Sequence, residues 1–156
     1  MRREQFTLEM LHVEWVDEGT DPEQPVVSIS FDGDQLSIKP RLTANDGDIL
    51  DDQTIDISIR LQDAPENAPP GGVIAVTNRE IGEYIAEINV DMEEMLTFIT
   101  AARRYGESTD DIARYAARIN TDEGTIASFE KRTLLVYSND GELLRQHSLI
   151  PSGVEI

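Results

Sequence analysis

From Ile55 to Gln62 the residues alternate without interruption, with Ile55, Ile57, Ile59 and Leu61 in one phase and Asp56, Ser58, Arg60 and Gln62 in the other. Successive side chains of a β-strand point to opposite faces, so this run predicts a strand with one buried face and one wet face. The same period of two recurs along most of the chain and makes antiparallel β-structure the dominant expectation. Val27, Ile29 and Phe31 lead through Asp32-Gly33-Asp34 into Leu36 and Ile38. That pair predicts a hairpin whose second strand lies at an edge, because Pro40 has no ladder donor. Phe6, Leu8 and Met10 switch phase to Leu11, Val13 and Trp15, as a bulge near Met10 would require.

Residues 73–77 and 84–90 predict a second hairpin, with Tyr84, Ala86, Ile88 and Val90 on one face. Residues 133–137 are apolar in both phases, which predicts a central strand at 134–137. A turn at Asn139-Asp140-Gly141 then leads into a partner at 143–150. One helix is marked at about 91–105. Asp91 and Glu94 form an acidic capping box, Met92, Met95, Leu96, Ile99 and Ala102 follow helical spacing, and Gly106 suits the position after the last turn. Residues 109–121 fit two readings. Thr109 with Asp110 and Asp111 would cap a helix, whereas Tyr115, Ala117, Ile119 and Thr121 alternate as a strand, which a turn at Asp122-Glu123-Gly124 and a partner at 126–130 would complete as a hairpin; the strand is the preferred reading. The turn-rich stretches 18–25, 43–52 and 63–72 predict surface loops, Gly71-Gly72 included.

A chain of 156 residues matches the usual size of one domain, and neither a repeat nor a composition break divides 1–156. The expected fold is therefore α+β: about nine mostly antiparallel strands in a sandwich or strongly curved sheet, with one helix packed on a face or open end.

Thirty-one Asp and Glu stand against 13 Lys and Arg, for a net charge of −18, and only Lys39 and Lys131 among the basic residues are lysines. In dilute buffer such a charge opposes compaction by self-repulsion. At molar ionic strength the Debye length falls to about 3 Å and the repulsion is screened. Carboxylates keep water bound when it is scarce, while the long apolar stem of lysine becomes a liability. Acidic surface with arginine favoured over lysine thus reads as adaptation to concentrated salt, as in a halophilic archaeon. On that reading net acidity says little about partners, and nucleic acid stays compatible with it. The chain has no cysteine, which removes disulfides and thiolate chemistry. Arg2-Arg3 is followed by no apolar leader and no stretch of bilayer-spanning length, so the expected location is cytoplasmic, without membrane contact.

No catalytic constellation emerges. The only histidines are His12 and His147, both within expected strands; His12 and Glu14 share a strand face but lack further ligands, so no metal is expected. His147 beside Ser148 is not a dyad, since adjacent strand residues point oppositely. The acidic turns Asp32-Gly33-Asp34 and Asn45-Asp46-Gly47-Asp48 do not match a calcium loop, and Gly71-Gly72 precedes no helix start that would hold phosphate; no cofactor is implied. Arg145 and His147 would share a strand face able to meet an anion. Arg103, Arg104, Arg114 and Arg118, with Tyr105 and Tyr115, form the one cationic concentration, although Glu107, Asp110 and Asp111 interrupt it. The end of the sequence is apolar, so Val154 and Ile156 either dock on their own sheet or are offered to another chain.

Residues 2–8, the run Arg103-Arg104-Tyr105-Gly106-Glu107 and the closing stretch 143–156 resemble a haloarchaeal family of conserved small acidic proteins of unknown function. The resemblance spans the chain and implies a haloarchaeal cell and a strand at 113–121, but no activity or cofactor. The sequence thus leads to a non-enzymatic protein-interaction module, with Arg103, Arg104, Tyr105, Arg145, His147, Val154 and Ile156 as binding candidates. The alternative is a small-ligand or nucleotide-binding protein, with or without catalysis, whose site lies near Arg145 and His147 beside Tyr105. Nothing in the sequence sets an oligomeric state.

Overall fold

The computed structural model describes residues 5–62, 71–108 and 114–150. Among them run the strands β1 (Phe6–Leu11), β2 (Val26–Phe31), β3 (Ile55–Gln62), β4 (Gly71–Asn78), β5 (Glu83–Asp91), β6 (Tyr115–Thr121), β7 (Gly124–Lys131) and β8 (Leu135–Tyr137). The helical segments are α1 (Trp15–Glu18), α2 (Gln35–Ile38) continuing into a 3₁₀ turn at Lys39–Leu42, and α3 (Met92–Ser108). The strands form two four-stranded sheets, ordered β1-β2-β6-β7 and β5-β4-β3-β8. This is an α+β fold dominated by strands.

Alternation sets which residues meet. In the second sheet Val136, Ile59, Ile74 and Ile88 occupy one row of the inner face; in the first, Leu8, Ile29, Ile119 and Ala127 do the same. Both inner faces contribute to one apolar core, which α3 joins through Met95, Phe98, Ile99 and Ala102. Ile29, Ile55, Ile85 and Val136 are wholly buried there, each contributing about 2 kcal/mol by leaving water. Phe98 stands edge-on to Tyr115, with ring centroids 5.4 Å apart, and so ties α3 to the start of β6. The buried Tyr115 hydroxyl donates to the Thr133 carbonyl at 2.7 Å. Burial, with Asp56 adding a smaller effect, pushes that hydroxyl well above its ordinary pKa and keeps it a neutral donor.

Two pairings are parallel, β2 with β6 and β3 with β8, so both sheets are mixed. The hairpins β4–β5 and β6–β7 form as expected, the second closing at Gly124 with φ 110°. Residues 115–121 settle as a strand; 109–113 lie outside the described residues.

Several expectations give way to local chemistry. No hairpin follows β2, because the Asp34 side chain accepts the Leu36 N–H at 3.0 Å and the Asp34 carbonyl accepts Ser37 N–H, winding 35–42 into helical turns. Ile38 and Leu42 are buried while Leu36 is 74% exposed. The phase switch after Met10 is the end of β1 and not a bulge: His12 adopts φ 62°, and Trp15 Nε1 donates to the His12 carbonyl at 2.6 Å. Gly71 and Gly72 open β4 instead of extending a loop. A Cβ at either position would sit 2.9 Å from a backbone oxygen of the neighbouring strand, Val90 or Arg60.

Residues 134–137 are not central, since β8 closes its sheet. Its outer side is nevertheless occupied by single bridges, Leu134 with Leu149 and Tyr137 with Leu143. Ser148 completes that cover: its Oγ accepts the Val136 N–H at 2.9 Å and donates to the Leu144 carbonyl at 2.8 Å. A side chain thus replaces a ladder partner, and 143–150 folds as a turn and not as a strand.

Candidate functional site

Asp91, the last residue of β5, caps α3 by accepting the Glu94 N–H at 2.7 Å. The helix then runs one turn beyond the expected end at Tyr105. Gly106 lies inside it, where a Cβ would come within 2.9 Å of Arg114 Cγ; the missing side chain makes room for the arginine stem. Arg103 and Arg104 therefore do not close the last turn, which carries no basic residue. Arg103 serves another purpose. Its Nη2 donates to the carbonyls of Gln146 and Ser148 at 3.3 and 3.2 Å, pinning the turn that holds Arg145 and His147 against the helix.

The structure thus brings Arg103 to the segment carrying Arg145 and His147. Arg104 and Arg145 are exposed, Tyr105 and His147 half-buried. His147 is in a turn, its N–H donating to the Leu144 carbonyl, and not in a strand as expected. Arg118 is elsewhere, on the outer face of the first sheet between Ser28 and Ser128. Tyr115 is in the core, so the cationic cluster read from the sequence divides. Val154 and Ile156 lie outside the described residues.

His12 also leaves the strand ladder. Its Nδ1 lies 3.0 Å from Glu23 Oε2, whereas Glu14 accepts the Val13 N–H, so the suggested pair is not shared. Among the described residues no group of three or more His, Asp or Glu is placed to hold a metal ion. No described helix is long and apolar enough to cross a membrane.

Three surface depressions have other linings. One, of about 500 Å³, runs between β1 and the start of α3 over Leu8, Met10 and Val13, rimmed by Glu9, Glu93 and Glu94. A smaller one adjoins it between β1 and the end of β5. The third, about 530 Å³, lies on the outer face of the second sheet and includes Arg60, Tyr84, Glu87 and Tyr137. Sequence reading missed this face because Tyr84 was assigned inward with Ala86. A bulge opposite Val76 and Thr77 inserts Ile85 as a second buried residue and turns Tyr84 outward, leaving it 57% exposed.

The model of the Family of unknown function (DUF5793) matches residues 1–156. The chain belongs to that family. Neither the curated proteins nor the solved structures include a match to it. Membership in DUF5793 agrees with the resemblance read from the sequence in extent and in assigning no activity; the surface of this member therefore has to carry any functional argument.

Proposed function

We propose that this protein is a non-enzymatic protein-interaction module of a halophilic archaeal cytoplasm, folded as a single domain, and that it contacts its partner through the end of the molecule where α3 meets the 145–148 turn. The observation carrying this reading is the pair of bonds from Arg103 to the Gln146 and Ser148 carbonyls, which hold the turn bearing Arg145 and His147 against the helix that carries exposed Arg104, on a chain of net charge −18. In molar salt long-range steering is screened, so recognition there depends on short-range, geometrically matched contacts. Guanidinium groups meet that need, because they form bidentate bonds with carboxylates and stack on planar groups. An acidic surface of another salt-adapted protein is the matching partner. Extension of the contact by Val154 and Ile156 rests on the sequence alone.

The test is affinity capture in molar KCl. The wild-type chain retains a partner, Arg104→Glu with Arg145→Glu releases it, and Arg132→Glu retains it. A chain that stays solitary, or a partner indifferent to the Arg104 and Arg145 changes, contradicts the proposal.

A further inference from the structure

The outer face of the second sheet has an uneven relief that follows from its sequence. Ser58 and Ala75 sit side by side in the middle rows of β3 and β4, with Glu87 next on β5 and Leu135 on β8. The small side chains of Ser58 and Ala75 leave a trough there. Taller residues border it: Tyr137 beside Arg60 at one end, and Tyr84 at the diagonally opposite edge. Three strand spacings and four residues along β3 separate the backbone positions of the two tyrosines, about 20 Å, a span that suits an extended ligand.

Both ends are held in place. The Tyr84 carbonyl accepts a bond from Arg41 Nη1 at 3.0 Å, and the Ile85 bulge fixes the outward turn of its ring. At the other end Arg60 Nη2 donates to the Asn139 carbonyl at 3.1 Å, which anchors the 138–142 loop as the trough wall. That loop is braced in turn by Ser138 Oγ, which accepts N–H groups from Asp140 and Glu142, and by Gly141 at φ 89°. Bulges are over-represented next to functional sites, where they re-aim a side chain as this one does Tyr84.

We infer that this trough binds a neutral, linear oligosaccharide. Its lining combines donors and acceptors of mixed kind, Arg60, Ser58, Gln62 and Glu87. Sugar hydroxyls, each both donor and acceptor, match that mixture, while the C–H face of a pyranose lies flat on a tyrosine ring. A single-stranded nucleic acid could also stack on tyrosines, but its phosphates would meet Glu87 and an acidic molecule. An extended peptide pairs with a strand edge, and this is a sheet face whose backbone groups are spent in the ladders. Neither Arg104 nor Arg145, on which the proposed partner surface depends, lines the trough.

Titration calorimetry in molar KCl with cellohexaose, maltohexaose and N-acetylchitohexaose tests the inference. At least one hexasaccharide is expected to bind saturably, with Kd below about 1 mM. Tyr84→Ala and Ala75→Leu, which remove a stacking ring and fill the floor, each weaken it about tenfold, while Tyr84→Phe binds as wild type. Tyr84 is exposed and Ala75 lies outside the core, so circular dichroism of each variant confirms that the fold is unchanged. Absence of saturable binding up to about 10 mM of every sugar overturns the inference. So does binding that ignores both Tyr84→Ala and Ala75→Leu, and so does hexauridylate binding more tightly than each sugar at the same residues.

Discussion

Lys131 is one of two lysines in a chain that otherwise uses arginine, and the structure gives a reason for its presence. Its Nζ donates to the carbonyls of Asp52 and Ile55 at 2.7 and 2.6 Å, tying the end of β7 to the entry of β3 across the two sheets. A compact ammonium on a flexible stem can aim its donors at both carbonyl acceptors at once, whereas the donors of a guanidinium are fixed in one plane. Lys131→Met strands both acceptors, and chemical denaturation in molar KCl should show a loss of about 2 kcal/mol. Asp51 is the acidic counterpart. The Thr54 hydroxyl, and then the Thr54 and Gln53 N–H groups, bond its carboxylate and hold it below the ordinary carboxylate pKa of 3.8. A carboxyl depressed on folding adds stability that is complete above its unfolded pKa and is lost as pH falls through the folded one. Asp51→Ala is therefore less stable than wild type at pH 7, and the gap closes as denaturation is repeated at pH values descending below 3.8.

At the scale of elements, a single hydrogen bond decides where a strand yields to a helix. Asp91→Ala removes the acceptor for Glu94 N–H at the start of α3 and should cost about 1 kcal/mol, read from denaturant midpoints. Glu94 itself is pushed to a raised pKa, by burial first and by Asp91 beside it second. Its ionised form is disfavoured in the folded state, so a penalty exists at pH values above the folded pKa and fades as pH falls below the unfolded one. Glu94→Gln should accordingly raise the denaturant midpoint at pH 7 in molar KCl and lose that advantage when the measurement is repeated in acid. β3 was legible in the sequence from its long alternation, β4 from its apolar run at 73–77, and α3 from its Asp91 cap. The parallel partners of β2 and β3 were not, because no local turn announces pairings such as Val26 with Ala116 or Ser58 with Leu135, so far apart in the chain. The segment after Asp34 was misread because two apolar residues, Leu36 and Ile38, satisfy a period of two by coincidence while the Asx turn controls the backbone. Tyr84 was misplaced by one inserted residue, which inverts every face before it. Of the candidate site, Arg103 was found as part of a local cationic concentration, and Arg145 and His147 from a shared strand face that proved to be a turn; their junction depends on carbonyl acceptors in that turn, which neither signal registers.

Across the whole molecule, acidity is spread over both halves of the chain while function is argued from its exceptions, the arginines at the end of α3 and the mixed trough on the second sheet. That division depends on the carboxylates answering to solvent. If they do, the folded state requires screening: at a net charge of −18 the two sheets repel their own loops in dilute buffer and hold together at molar ionic strength. Circular dichroism of the intact chain while KCl is dialysed from molar to millimolar tests this directly. Cooperative loss of the β signal on dilution, reversed when salt is restored, is the expected result; a spectrum and thermal midpoint unchanged in millimolar KCl would show that the carboxylates do not answer to solvent.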